Sequence, residues 1–349
     1  MAYTTIDKPS DYFETVLWSS VDTSIDTLDF QPDWVWIKSR TNADTQVLFD
    51  SVRGAGERLS SSSTGAESTK TDELTAFNSD GFTLGTGSNV NRASNNNVAW
   101  NWKAGTSFTN DASSTGIGSI DSAGSVNNDA GFSICTHTGT GSNATIKHGL
   151  STAPKMIITK KRSASGGWQV GHESIGWQNG IYLEDTSAST GDAGAWNSTA
   201  PTSSIFYVGT SSFTNQSSAT YVSYIFAEKQ GYSKIGSYIG NGNADGIFVY
   251  TGFKPAFFIC KRYNDSGYDW LMYDNKRQVS FNVVDDFLKP NLNDAETTGN
   301  ANQSLDFLSN GVKHRGNGAS SNGSGASYIY YAVAENPFVT STGVPATAR

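Results

Sequence analysis

The stretch that decides the fold is Phe30-Gln-Pro-Asp-Trp-Val-Trp-Ile-Lys-Ser-Arg40. Its pattern, a proline before a mostly apolar run and a lysine six residues after the proline, occurs again in Ala153-Pro-Lys-Met-Ile-Ile-Thr-Lys-Lys-Arg162 and in Phe253-Lys-Pro-Ala-Phe-Phe-Ile-Cys-Lys261. Proline suits the start of a strand because its missing N–H removes no ladder hydrogen bond there. Short runs of β-branched and aromatic residues are typical of buried strands. The pattern therefore predicts three equivalent buried strands.

Two further strands accompany each of these runs. Opening strands are predicted at Tyr12 to Trp18, Gly131 to Thr136 and Lys234 to Tyr238, and closing strands at Val98 to Trp102, Tyr221 to Phe226 and Tyr328 to Val333. Six to eight strands per unit at this spacing favour a β-sandwich. We therefore expect an all-β fold made of three repeated antiparallel β-sandwich units, which superpose on their prolines.

The repeats set the expected domain boundaries. Residues 1–109 form the first unit, 110–130 a linker rich in Ser, Gly and Asn, 131–230 the second unit, and 231–349 the third unit with a C-terminal tail. Only Lys229-Gln-Gly231 joins the second and third units, so we expect these two to form a rigid pair. The best helix candidate is Ser280 to Leu288.

Composition excludes several classes of protein. The 349 residues carry a net charge of −8, 16% of them are charged and 12% are aromatic. Disordered chains show the opposite balance, and nucleic-acid binders need a basic surface. No apolar run reaches the ~18 residues of a membrane span, and Met1 to Asp7 do not resemble a secretory signal. We expect Cys135 and Cys260 to be reduced thiols, without a disulfide between them, in a chain made in a cytoplasm.

An aromatic-Asp-x-x-Arg motif recurs in two repeats, as Asp50 with Arg53 and as Asp274 with Arg277. The second repeat has His172 in place of the aspartate. Glycoside hydrolysis needs two carboxylates ~5–9.5 Å apart, whereas these two lie at equivalent places in separate units. An arginine three residues on favours a structural ion pair or turn cap. Replacing Asp274 by Asn should therefore lower stability by ~0.5–3 kcal/mol, depending on burial.

No other motif indicates catalysis, a cofactor or a metal. Asn241 to Gly246 resembles the start of a calcium loop, but Gly252 stands where the loop needs Glu, so a hairpin is favoured. Glu228 and Glu335 follow closing strands, which favours a structural role. We predict no catalytic, cofactor-binding or metal-binding residues.

Tryptophans are the remaining candidates for ligand binding, since aromatic faces bind sugars. The pairs Trp34 with Trp36 and Trp100 with Trp102 alternate along strands, which puts each pair on one sheet face, as in a core. Trp177 and Trp196 lie in polar, loop-like surroundings instead. These two are the weak candidates for exposed glycan-binding residues.

Several motifs resemble those of tailed-bacteriophage virion proteins, in particular tail-fibre-like proteins of marine and cyanobacterial phages. The similar segments are Phe30 to Lys38, Leu48 to Gly54, Asp80 to Gly85, Glu228 to Gly246, Val249 to Pro255 and Ala332 to Phe338. The resemblance covers nearly the whole chain. It implies concanavalin-like or jelly-roll, lectin-type sandwiches, and it transfers no catalytic or binding residues.

The function implied by the resemblance is structural and not enzymatic. We expect a tail fibre or tail-associated appendage of a virion, made in the host cytoplasm, that contacts the host surface through a glycan or another receptor. One alternative is an architectural head decoration, head fibre or tail connector without a receptor, and another is a polysaccharide depolymerase. The expected partners are other virion proteins and a host cell-surface glycan, with neither nucleic acid nor membrane insertion.

The aromatic content also predicts a homo-oligomer. Three sandwiches of ~100 residues bury a limited fraction of their own surface, and interfaces favour Tyr, Trp and Phe. The resemblance favours a trimer. A pseudo-three-fold arrangement of the repeats within one chain would cover the same aromatics and is the main competing hypothesis.

Overall fold

The computed structural model describes residues 3–19, 23–278 and 282–345. Strands β1 to β9 lie at Phe13–Ser19, Ser24–Ile25, Trp34–Ser39, Val47–Asp50, Glu57–Arg58, Ser68–Thr69, Leu74–Asn78, Gly81–Leu84 and Asn96–Trp102. Strands β10 to β19 lie at Thr106–Asn110, Ser122–Asn127, Phe132–Thr138, Ala144–Lys147, Met156–Lys161, Trp168–His172, Asn179–Tyr182, Thr190–Gly191, Ile205–Val208 and Thr220–Phe226. Strands β20 to β26 lie at Ser233–Ile239, Phe248–Tyr250, Phe253–Arg262, Leu271–Asp274, Leu305–Leu308, Gly311–His314 and Ser327–Pro337.

Helices in the described residues are single turns. The α-helices are α1, Ser88–Asn91, α2, Ala112–Thr115, and α3, Ala193–Trp196, and the 3₁₀ turns are Pro9–Asp11, Glu173–Ile175 and Ala301–Gln303. The prediction of an all-β fold is confirmed.

One antiparallel strand order occurs in three sheets. It is β1-β9-β3-β4 in inner sheet 1, β12-β19-β14-β15 within the eight-stranded inner sheet 2, and β20-β26-β22-β23 in inner sheet 3. In each sheet the opening strand pairs with the closing strand, which pairs with the strand of the proline motif. We call β3, β14 and β22 the Pro-led strands. Pro255 lies inside β22, where the register shifts, and a bulge is a place where a strand tolerates proline. The superposition of three repeated units stays a prediction.

A smaller outer sheet packs on one face of each inner sheet and completes sheet pairs 1, 2 and 3. The outer sheets have the orders β2-β8-β7, β13-β18 and β21-β25-β24. Alternate residues of each Pro-led strand point into these separate cores, for example Val35, Ile157 and Phe258. Each sheet pair therefore encloses a core of its own.

The opposite faces of the three inner sheets meet in one common core. Successive side chains of a strand point to opposite sides, so the residues two and four places after each proline point inward. Nine side chains, three from each inner sheet, line one small apolar gap at the centre: Trp34, Trp36, Trp102, Met156, Ile158, Phe226, Phe257, Ile259 and Tyr331.

Aromatic contacts join each inner sheet to both of the others. The Trp34 ring stacks on Tyr224 with centroids 4.3 Å apart, and Trp102 meets Phe257 edge to face at 5.6 Å. A further contact between Phe226 of β19 and Tyr331 of β26, at 4.8 Å, closes the set. The aromatic residues that predicted contacts between chains are thus covered by other sheets of the same chain.

Residues 110–130, predicted as a linker, belong instead to the sheet. The segment contains strand β11, which pairs with both β12 and the preceding strand β10, so these two strands extend inner sheet 2. Its small residues allow close packing, because a Cβ on Gly124 would lie 1.9 Å from the Ile134 carbonyl oxygen and 2.9 Å from the Phe108 ring. A segment rich in Ser, Gly and Asn, which is typical of flexible linkers, here forms a tightly packed strand. The linker prediction is therefore wrong.

The predicted helix at Ser280 to Leu288 is also wrong where the structure describes it. Residues 280 and 281 lie outside the described residues. From Asn282 onward the backbone is irregular and forms isolated bridges, Val284 with Leu305 and Leu288 with Met272. Tertiary pairing to both sheets of pair 3 outweighs the weak local preference for helix.

Replacement of Trp34 by Ala should lower the free energy of unfolding by about 3–5 kcal/mol, because the ring is fully buried among side chains from all three inner sheets. Chemical denaturation followed by far-UV and near-UV circular dichroism measures this change. All probes should report one shared transition, since the three sheet pairs share this core. Leu17→Ala is the control: Leu17 is 38% exposed, and its loss should cost under about 1 kcal/mol. Separate transitions for separate sheet pairs would contradict a common core.

Candidate functional site

Asp50, the first recurring aspartate, is a structural residue at the junction of sheet pairs 1 and 2. Its Oδ2 lies 2.5 Å from Nε of Arg53, and both side chains are fully buried. Its Oδ1 accepts the backbone N–H of Arg53 at 2.8 Å, so one carboxylate makes both the ion pair and the turn cap. The hydroxyl of Tyr224, on inner sheet 2, donates to Oδ2 at 2.7 Å.

Asp274 repeats this arrangement at the junction of sheet pairs 3 and 1. It accepts from Nε of Arg277 at 2.5 Å and from its backbone N–H at 3.0 Å. Here Nε1 of Trp100, on inner sheet 1, is the neighbouring donor, at 2.9 Å. Tyr224 and Trp100 occupy the same register position on their closing strands. The prediction that both aspartates form local structural pairs is confirmed, and each pair is also bonded across a junction.

A glutamate extends each ion pair to a second arginine. Glu67 accepts from Arg53 at 2.9 Å and from Arg162 of sheet pair 2 at 2.8 Å. Burial raises the pKa of Glu67, the two guanidinium groups lower it by more, and the net shift is downward.

The same bridge exists at the junction of sheet pairs 3 and 1. Glu296 accepts from Arg277 at 2.5 Å and from Arg40 of sheet pair 1 at 2.7 Å. At each of these two junctions, four side chains of alternating charge, Asp–Arg–Glu–Arg, therefore connect the two sheet pairs.

The third junction, between sheet pairs 2 and 3, keeps the backbone contact without this chain of charges. Ser189 N donates to Tyr263 O at 2.8 Å, in the manner of Glu67 N to Arg162 O and of Glu296 N to Arg40 O. His172, at the place of the aspartate, lies 3.4 Å from the carbonyl oxygen of Tyr330 through Nε2. Burial lowers the pKa of His172 to about 4, so this imidazole is neutral at pH 7.

The recurring lysines also serve the junctions. Lys38, Lys160 and Lys261 are buried, and their ammonium groups donate to backbone carbonyls. Two of them reach a neighbouring sheet pair: Lys38 donates to Asn293 O at 2.9 Å and Lys160 to Thr64 O at 3.0 Å. Burial lowers the pKa of all three to about 8. The lysine that ends each proline motif is thus a donor to loop carbonyls.

The predicted glycan-binding tryptophans, Trp177 and Trp196, are buried in the core of sheet pair 2. They are 6% and 0% exposed, with ring centroids 5.8 Å apart in an edge-to-face contact. Both rings fill the space beside Gly171, where a Cβ would lie 2.6 Å from Trp177 and 2.7 Å from Trp196. The prediction of exposure is wrong, because a glycine in the adjacent strand creates a cavity that local polarity does not reveal.

The remaining sequence candidates are structural where they are described. Glu228 pairs with Lys155 and Lys234, and Asp245 of the calcium-like loop pairs with Lys313. Within the described ranges, no group of three or more His, Cys, Asp or Glu side chains is placed to hold a metal ion.

Both cysteines are free and buried, and burial raises the pKa of each thiol to about 12. Among the described helices, none has the length and apolarity needed to cross a membrane.

The candidate binding site is a polar trough on inner sheet 2, which sequence reasoning missed because the middle strand of its floor, β11, lies in the supposed linker. Two adjoining cavities, of about 450 and 410 Å³, meet at Ala123. Their floor is the extension β10–β11 with the neighbouring strand β12. Residues before and after β3 and β4 of sheet pair 1 form one wall, among them Asp33 and Ser51, which are joined by a 2.6 Å hydrogen bond.

The floor of the trough continues the sheet face that enters the common core. One register row reads Ser107, Ser125, Ile134, Tyr224 and Ile158, from hydroxyls outside to apolar residues inside. The next row begins with Thr109, Ala123 and Thr136. In the first row, serines thus stand where the sheet leaves the common core, beyond Ile134.

Carboxylates lie at the end of the trough that is away from sheet pair 1. Asp111 and Asp121 line it together with Arg162. Asp111 caps α2, accepting from Ser114 N at 3.0 Å, and Asp121 accepts from Ala112 N at 2.8 Å. Hydrogen bonds from Ser113 and Ser114 lower the pKa of Asp111, so it is ionised at neutral pH. The trough therefore offers hydroxyls along its floor and acceptors at its end.

These features define a class: an all-β protein of three packed sheet pairs whose charged residues join the pairs and whose polar trough lies on the one extended sheet. The sequence profile of a family described as "Domain of unknown function (DUF7483)" matches residues 8–337. The chain belongs to this family. No curated protein and no solved structure matches it significantly.

Replacement of Asp274 by Asn should lower the free energy of unfolding by about 3 kcal/mol, because it leaves the buried Arg277 without the charge beside it. Asp265→Asn is a matched control, since Asp265 also pairs with an arginine three residues away but its side chain is 57% exposed. That change should cost at most about 1 kcal/mol. Urea denaturation of the two variants measures both values, and equal losses would contradict a buried structural role.

His314→Phe should stabilise the protein in acid. Within the described residues neither ring nitrogen of His314 has a hydrogen-bond partner, and burial lowers its pKa from 6.5 to about 3. As pH falls below about 6.5 the unfolded chain binds a proton that the folded chain does not, and stability is lost. At about pH 5 this loss is roughly 2 kcal/mol.

Thermal or urea unfolding of wild type and His314→Phe at about pH 7.5 and pH 5 measures the difference. The variant should lose less stability between the two pH values than wild type. His148→Phe is the control. His148 accepts from Leu150 N and lies 3.1 Å from Thr202 O, so this variant should have a lower free energy of unfolding than wild type at both pH values. An unchanged pH dependence in His314→Phe would show the assignment to be wrong.

Proposed function

We propose that the chain is a structural protein of a tailed-bacteriophage virion, a tail fibre or tail-associated appendage that contacts the host surface. The sequence motifs that resemble virion proteins support this origin. The observation that carries the structural role is the use of the recurring acids. Asp50 and Asp274, the residues best placed by sequence to act as catalytic acids, are each bonded to an arginine and to an aromatic donor from a neighbouring sheet pair. The ion pairs and hydrogen bonds of these two aspartates hold neighbouring sheets together.

A purely architectural role, as a head decoration, head fibre or tail connector, is the second candidate. The burial of Trp177 and Trp196 favours it, because sugar stacking then has no support from these two residues. A depolymerase is less well supported. Its two carboxylates must flank a bound sugar, and the recurring aspartates already hold buried guanidinium groups.

The expected partners are other virion proteins and a surface glycan of the host. A homo-oligomer, and a trimer above all, now rests on the resemblance alone, because packing within the chain already accounts for the aromatic content. Exposed Phe248 and Tyr250 on the edge strand β21 are the apolar residues that a neighbouring virion protein would cover.

Location on the particle tests the proposal. Antibodies raised against the purified protein, with gold label, should mark the tail or another external appendage of purified virions. In an adsorption assay, free protein added before the phage should reduce attachment to host cells if the labelled appendage contacts the host. Label on the head without inhibition would favour the architectural candidate. Absence of the protein from purified particles, measured by mass spectrometry, would overturn both.

A further inference from the structure

We propose that the trough on β10, β11 and β12 binds a strand of neutral polysaccharide. This inference rests on the proposed function for its biological meaning, since a host-surface glycan is among the expected partners. Its physical basis is separate and lies in the chemistry of the trough.

The trough exists because inner sheet 2 differs from the other two inner sheets. The opening strands β1 and β20 are edge strands, whereas the opening strand β12 is followed by β11 and β10. The added strands carry the inner sheet face outward, beyond the common core. A concave surface with hydroxyl groups on its floor is thus formed, and part of it lies beside sheet pair 1.

Small hydroxyl-bearing side chains on the floor fit a polyhydroxylated ligand. Thr109 and Thr138 are exposed and Thr136 is half-buried. A hydroxyl both donates and accepts hydrogen bonds, as a sugar hydroxyl does. Ala123 lines both cavities, and its small side chain does not obstruct the floor between them. The surface is therefore open, continuous and rich in partners for hydroxyl groups.

Dimensions favour an extended chain over a single small molecule. The floor covers three strands, about 10 Å across at the usual strand spacing, and from Thr138 to Ile134 the face advances four residues, about 14 Å. One of the two cavities extends this length along the wall of sheet pair 1. A single monosaccharide would leave most of this surface uncovered.

Charge selects neutral chains over acidic ones. Asp111 and Asp121 line the trough and are exposed, whereas its arginine, Arg162, is already paired with Glu67. Carboxylates are strong acceptors for sugar hydroxyls, but they repel uronic acids and phosphates. The net charge of −8 acts in the same direction.

The test uses the full-length protein and defined hexasaccharides: maltohexaose, laminarihexaose, the hexamer of N-acetylglucosamine, and hexagalacturonate as the anionic member. Saturation-transfer NMR detects binding, and titration measures the Kd. At least one neutral hexasaccharide should bind with a Kd of about 1 mM or lower, and hexagalacturonate should bind at least about tenfold more weakly.

Two substitutions on one strand locate the binding. Thr109→Trp places a large ring on the floor of the trough and should weaken binding at least about tenfold. Thr106→Trp is the matched control, because Thr106 is equally exposed on β10 but points to the opposite face. It should leave the Kd within about twofold of wild type. Ala123→Leu, at the middle of the floor, repeats the test if Thr109→Trp does not fold.

Three results would overturn the proposal. They are no binding of any neutral hexasaccharide at about 10 mM, equal effects of Thr106→Trp and Thr109→Trp, and binding of an oligolysine peptide without any sugar, which would assign the trough to a cationic polymer. The location experiment is independent of these results. A virion protein without sugar binding refutes only the trough, and a sugar-binding protein absent from virions refutes only the proposed function.

Discussion

The structure depends on one constraint: the Pro-led strands are apolar on both faces, so both faces must be buried against other sheets. An outer sheet covers one face of each strand, as Val35, Ile157 and Phe258 show. Cover for the other face comes from the other inner sheets. Small sandwiches leave a large share of their surface exposed, and three of them around a common core remove that exposure together. The stacking of Trp34 on Tyr224 is the most intimate of these contacts.

Charges at the rim of the common core specify how the sheet pairs meet. Each buried Asp–Arg pair takes an extra donor from a neighbouring sheet, Tyr224 or Trp100, which is available in one arrangement only. Buried ion pairs add little net stability but can select one geometry among many apolar packings. The junction without this chain of charges joins sheet pairs 2 and 3, which are connected by the short segment Lys229-Gln-Gly231.

Recurring sequence motifs predicted the Pro-led strands and the buried ion pairs. Prediction failed where the position of a side chain depends on a residue in another strand. The spacing of prolines and lysines located β3, β14 and β22, and the Asp-x-x-Arg motif located both buried ion pairs. Trp177 and Trp196 were misplaced because Gly171, in another strand, provides the space that buries them. The segment 110–130 was misread because small residues suit both a linker and a packed strand. The trough was missed for the same reason.

The repeat itself indicates where binding should be sought. The tryptophans, aspartates and lysines of the sequence motifs contact each other or neighbouring loops, so these groups are already used in holding the chain together. A ligand needs groups that still face solvent. Strands β10 and β11 break the equivalence, because they extend one inner sheet beyond the core that the other two share. On the extended face, Ser107 stands in the register row of Ile134 and Tyr224, and Thr109 stands in the row of Ala123 and Thr136. The two added strands thus provide hydroxyl groups that face solvent, whereas the recurring charged groups are used in packing.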